Sequence, residues 1–156
     1  MRLARFASAL FVLSLIAVAD ASAQDAQSRL WDAAIAGDTG AIRKAVSDGA
    51  KIDSLDTRRS QNGRYALNWA TWNNHVAAVK LLIELKAPLE AENLTGFTAL
   101  HHAAENGSAD VAQLLLAAGA NPDHTNKMGY TPQEIAAERG HDAIAKMLQA
   151  APRKKK

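Results

Sequence analysis

At 156 residues, 48% hydrophobic and 22% charged, the chain has the make-up of one compact soluble domain. Its formal net charge of +2 comes from its two ends. The leader holds Arg2 and Arg5, and "RKKK" at Arg153 to Lys156 adds four more, so the body between them has 12 basic against 15 acidic residues. That balance argues against the clustered cationic face that nucleic acid binding needs. With no cysteine in the chain, stability must come from packing rather than disulfides.

The first segment reads as a targeting signal. "MRLAR" precedes the apolar run Phe6 to Ala19, and "DASAQ" then places Ala21 and Ala23 as in an A-x-A cleavage site. Basic, then apolar, then small is the layout of a secretory signal peptide. The apolar run is also shorter than the ~20 residues a membrane span needs. The expectation is a leader over 1–23, cut after Ala23, and a bacterial protein exported to the periplasm. An uncleaved leader would instead hold the chain as a membrane-anchored scaffold. No cysteine is available for a lipid anchor.

Beyond the leader the chain repeats itself. "LWDAAIAGDTGAIRKAVSDGAKID" comes first, and "LHHAAENGSADVAQLLLAAGANPD" matches it 70 positions later, two periods plus four. The four extra residues fall in "SLDTRRSQNG", a turn region where an insertion costs little. Gly63, Gly96 and Gly129 then open "GRYALNWATWNNH", "GFTALHHAAENGS" and "GYTPQEIAAERGH" at intervals of 33. Within each unit the spacing predicts two short helices. Thr98 and Thr131 are placed to cap the first, and Pro132 suits its opening position. Paired alanines such as Ala103 and Ala104 let it approach its neighbours, and Gly107 and Gly140 end it. Asp38 and Ser108 are placed to cap the second, where Val111, Leu114 and Leu115 recur at helical spacing.

These stretches, "TALHHAA", "AENGSADVAQLLLAAGANPD" and "TPQEIAAERGH" above all, resemble those of ankyrin-repeat proteins, whose unit is about 33 residues with a T-P-L-H-x-A signature. The resemblance implies an all-α solenoid of stacked helix-turn-helix units joined by hairpin loops. The expected domain runs over 24–151, with units at about 26–58, 59–91, 92–124 and 125–151, followed by a basic disordered tail at 152–156. The second unit departs most from the pattern, with Tyr65 for Thr, Asn74 for Gly and Pro88 for Asn. Gln133 and Glu134 in the last unit stand where Leu100 and His101 stand in the third, as suits an end facing solvent.

The resemblance implies that His101 is a structural hydrogen-bonding residue between repeats. His75 and His141 read as turn residues. His102 and Glu105, three apart, are expected on the open groove, where they could share a metal or serve an enzyme. Two groups are too few for a closed metal site. No G-x-S-x-G elbow or glycine-rich phosphate loop is present. Trp69 and Trp72 align with His102 and Glu105, so both indoles are expected at least partly exposed on the concave face. Arg58, Arg59 and Arg64 of the inserted turn, Leu94 and Phe97 of the next hairpin, and Lys127, Met128 and Tyr130 of the last would extend that strip. Aromatic residues beside arginine make up many binding hot spots. The expected function is therefore a non-catalytic protein-binding module, monomeric alone and without a cofactor. Its partner would be a periplasmic enzyme or a secreted toxin.

Overall fold

The structure, a computed structural model, describes residues 22–153, so most of the expected leader and the last three lysines lie outside the described residues. Those residues form eight helices: α1 over 22–36, then α2 (Thr39–Ser47), α3 (Ala66–Trp72), α4 (Val76–Glu84), α5 (Ala99–Asn106), α6 (Ala109–Ala117), α7 (Pro132–Glu138) and α8 (Asp142–Ala150). Among the described residues there is no strand, only an isolated bridge between Asp56 and Arg64. The helices come in tight pairs, linked through Gly37–Asp38, Asn73–His75, Gly107–Ser108 and Arg139–His141. The first helices α3, α5 and α7 pack in one row, and the second helices α2, α4, α6 and α8 in another.

Local chemistry accounts for most helix ends. The Asp38 carboxylate accepts from the Ala41 N–H at 2.9 Å, and Thr131 and Glu134 cap one another across the start of α7 behind Pro132. Ser108, expected as a cap, makes no side-chain cap bond. Gly107 ends α5 in the left-handed region at φ 71°, and there the side chain matters twice. A Cβ at Gly107 would lie 2.8 Å from the His141 ring, and one at Gly37 would lie 2.6 Å from the His75 ring. These histidines are more than turn residues. His75 Nε2 lies 2.9 Å from the Ile35 carbonyl and His141 Nε2 lies 3.2 Å from that of Glu105, fastening each pair to the one before.

The core runs the length of the stack. Leu30, Ile42, Leu67, Leu82, Leu100, Leu115 and Leu148 are fully buried, one on each of seven helices. Ala70, Ala103 and Ala136 lie between them and permit close approach. Each such leucine contributes about 2–3 kcal/mol by burial, and truncating one to alanine costs about 2–5 kcal/mol. No pair could bury its apolar face alone, which is why the units stand only as a stack. At the far end Gln133 is half-buried and Glu134 exposed, as expected of a terminal unit. Arg153, expected within a disordered tail, instead bonds Asp123 and the Leu148 carbonyl at the end of α8, where a cation answers orphan carbonyls.

Three hairpins connect the pairs and stack on one another. Leu94 N–H donates to the Asn62 carbonyl at 2.7 Å, and Lys127 N–H donates to that of Thr95 at 3.1 Å. Gly96 is required here: a Cβ would stand 2.6 Å from the Lys127 nitrogen. The stacking places the hairpin edges side by side along the row of first helices.

Candidate binding cleft

The repeat register sorts the side chains. At one position Asn68 and His101 are both buried and both reach the next hairpin. The Asn68 amide donates to the Phe97 carbonyl at 3.3 Å, and His101 Nε2–H donates to that of Tyr130 at 3.1 Å. His101 Nδ1 accepts from the Thr98 N–H at 3.1 Å, so the ring is committed at both ends. Burial pushes its pKa down to about 4. His101 is scaffold.

The next position holds Trp69, His102 and Ile135, and all three are buried. This corrects the expectation of an open groove for Trp69 and His102. Neighbouring residues on a helix point to different sides, yet the first helices are covered by flanking helices on one side and by hairpins on another, so both sides are closed. Trp69 is 7% exposed, and its Nε1–H donates to Asp56 Oδ2 at 3.2 Å. Asp56 is fully buried; burial pushes its carboxyl up, but Arg58, bonding it through Nε at 2.9 Å, holds it below the usual range. His102 lies between the Trp72 ring, edge-on with centroids 5.4 Å apart, and the Phe97 ring, also at 5.4 Å. It is 2% exposed, and neither ring nitrogen has a hydrogen-bond partner. Burial pushes its pKa down.

The position that does open outward holds Trp72, Glu105 and Glu138, the first two half-buried and the last exposed. There Trp72, His102, Glu105, Arg64, Phe97 and Met128, with Asn62, Asn93 and Thr95, line a cleft of about 270 Å³. The His102 ring and the Arg139 guanidinium, 3.0 Å away, hold the Glu105 carboxyl below its usual range. The Glu105 carboxylate stands 3.7 Å from His102 Nδ1, too far for a good hydrogen bond. Arg64 lies over two indoles, 4.6 Å from the Trp69 centroid and 4.4 Å from that of Trp72. Its Nε is buried without a partner, and burial lowers its pKa.

The other expected residues divide into two groups. Arg58 and Arg59 converge on Asp32 at 3.0 and 3.3 Å, and Arg58 also covers Trp31 at 4.8 Å. They brace the first unit and do not line the cleft, which corrects their expected place on the strip. Leu94, Met128 and Tyr130 are 51%, 65% and 45% exposed, with Lys127 exposed beside them. The sequence reading missed Asp56, whose signal was its alignment with Asn93 and Asn126 once the four-residue insertion is allowed for. Asn93 and Asn126 each accept from two backbone N–H groups and shape their hairpins.

The model of a family described as ankyrin repeats (3 copies) matches residues 30–126 and 86–155. The chain belongs to the ankyrin-repeat family. No curated protein matches it. Ankyrin repeats form protein–protein interaction modules, and the family generally acts by binding rather than by catalysis. Among the described residues of this ankyrin-repeat protein, no three His, Cys, Asp or Glu side chains are grouped to hold a metal ion. No described helix is long and apolar enough to cross a membrane.

Proposed function

We propose that this ankyrin-repeat protein is exported to the periplasm and binds a partner protein there, without chemistry of its own. The contact surface is the cleft together with the tips of the two hairpins after it. One observation carries the reading. Among the described residues, three of the four exposed large apolar ones, Leu94, Met128 and Tyr130, lie on two adjacent hairpins, with Met128 on the wall of the cleft. Exposed Met and Tyr beside an arginine that lies over indoles is the composition enriched at protein-binding surfaces and their hot spots. A periplasmic enzyme or an incoming toxin fits the compartment that the leader suggests.

The test is capture from periplasmic extract with the wild type and with Leu94→Glu plus Met128→Glu. Both side chains stand in solvent, so the variant should keep its stability within about 0.5 kcal/mol. The proposal expects the captured partner to be lost; full retention by the folded variant would refute the surface. Mass spectrometry of the exported protein tests the compartment. A start at Gln24 supports export with cleavage, and an intact leader favours the anchored scaffold.

A further inference from the structure

Arg64 is electrostatically unfinished. Among the described residues every other arginine has a carboxylate within 4 Å: Arg29, Arg43, Arg58, Arg59, Arg139 and Arg153. Arg64 has none, although it is half-buried and its Nε is shut off from water. A buried N–H left without an acceptor is costly, and here it belongs to a cation that no carboxylate of the described residues answers. The nearest carboxylate across the cleft, Glu105, is committed to Arg139. Beside Arg64 stands His102, whose neutral ring carries one N–H with no acceptor within hydrogen-bond distance. Two buried donors without partners thus meet at one cleft.

We propose that the cleft takes an acidic side chain, Asp or Glu, projected by the partner protein. Its carboxylate pairs with the two outer nitrogens of the Arg64 guanidinium above Trp72. This rests on the reading of the cleft and hairpin tips as a partner surface, and it adds the chemistry of the group that enters. The rim decides the source of the carboxylate. At about 270 Å³ and open to solvent, the cleft has room for one inserted side chain. The apolar rim at Leu94 and Met128 has no use for a free carboxylate ion but suits the apolar residues flanking an acidic one. The stacked indoles hold the guanidinium fork in place, so little freedom is lost when a carboxylate arrives.

The probe is a blocked peptide, acetyl-Leu-Glu-Leu-amide, whose only carboxylate is its side chain, with Gln and Lys twins. Binding is followed by NMR at the indole N–H resonances of Trp69 and Trp72, which lie under Arg64 and are present in every variant. The Glu peptide should saturate and bind at least about tenfold more tightly than either twin. Arg64→Gln and, as a second variant, Arg64→Met should abolish that preference while melting as folded proteins. Equal binding of the Gln twin, tighter binding of the Lys twin, or no saturable shift below about 10 mM would each overturn the proposal. So would sodium acetate matching the peptide's affinity, since the site would then take small carboxylates. Partner capture separates the two readings. A partner lost with Leu94→Glu plus Met128→Glu but kept by Arg64→Gln overturns the carboxylate and leaves the surface standing. A partner kept by both overturns the surface itself.

Discussion

The inserted hairpin and the two regular ones occupy the same place in the repeat and share a first turn, yet they satisfy the N–H of the closing residue differently. In the regular hairpins a side-chain amide does the work: Asn93 accepts from Thr95 and Phe97 N–H, and Asn126 from Met128 and Tyr130 N–H. In the inserted one Asp56 and Arg64 exchange backbone bonds at 2.8 and 2.9 Å, while the Asp56 carboxylate turns to Arg58 and Trp69. The residue that closes each hairpin is Arg64, Phe97 or Tyr130. Four extra residues thus commit one arginine, Arg58, to a buried carboxylate and leave a second, Arg64, over the cleft with nothing to answer it. A small insertion in a repeat can build a site without disturbing the stack.

That contrast can be broken at several points. The largest expected effect comes from pH, through the bonds joining first helices to hairpins. Asn68 and His101 do the same job, but only His101 titrates. Its folded pKa of about 4 lies below the ordinary 6.5, so the folded state favours the neutral ring. Stability is therefore complete above pH 6.5 and falls as the pH drops toward 4, by about 3 kcal/mol from this residue, with no further loss below. His102 acts in the same direction. Thermal melts at pH 7.5 and 4.5 should show the decline, and His101→Asn should flatten it.

Next comes the inserted hairpin. Asp56→Asn keeps the shape but removes the charge facing Arg58, and should cost about 2–3 kcal/mol in urea unfolding at pH 7. Because the Asp56 carboxyl titrates below its usual value, the wild type should lose this advantage as the pH falls through that lowered value, and the variant's deficit should shrink in acid. Asn93→Ala strips a regular hairpin of its organising acceptor and should cost less, about 1–2 kcal/mol. The smallest effect is a gain. The Thr71 hydroxyl is buried without a partner where the later units have Ala104 and Ala137, so Thr71→Val should raise stability by about 0.5–1 kcal/mol.

The fold was legible because its signals are local and repeated. Gly63, Gly96 and Gly129 mark the period, and Thr131, Pro132 and Gly107 mark helix ends by their own chemistry. The cleft was legible only in part. Arg64, Trp72, Phe97, His102, Glu105 and Met128 do converge. Trp69 and His102 were misjudged because a helix pattern shows which residues share a face, not which faces a neighbouring hairpin will cover. Arg58 and Arg59 were misplaced for a related reason: their partner Asp32 lies on α1, and nothing in sequence spacing joins an arginine to a carboxylate two elements away. The burial of Asp56 was hidden by the insertion, which shifts it out of line with Asn93 and Asn126.

The cleft can serve a partner only if Arg64 is held for something outside the chain rather than for the fold. Urea unfolding of Arg64→Met beside Arg58→Met weighs this most directly. Methionine keeps much of the packing on the indoles while removing the cation, so Arg64→Met should stay within about 0.5 kcal/mol of wild type or exceed it, whereas Arg58→Met should lose about 2 kcal/mol or more by stranding Asp56. Comparable losses in both variants would mean that Arg64 is as much a part of the scaffold as Arg58.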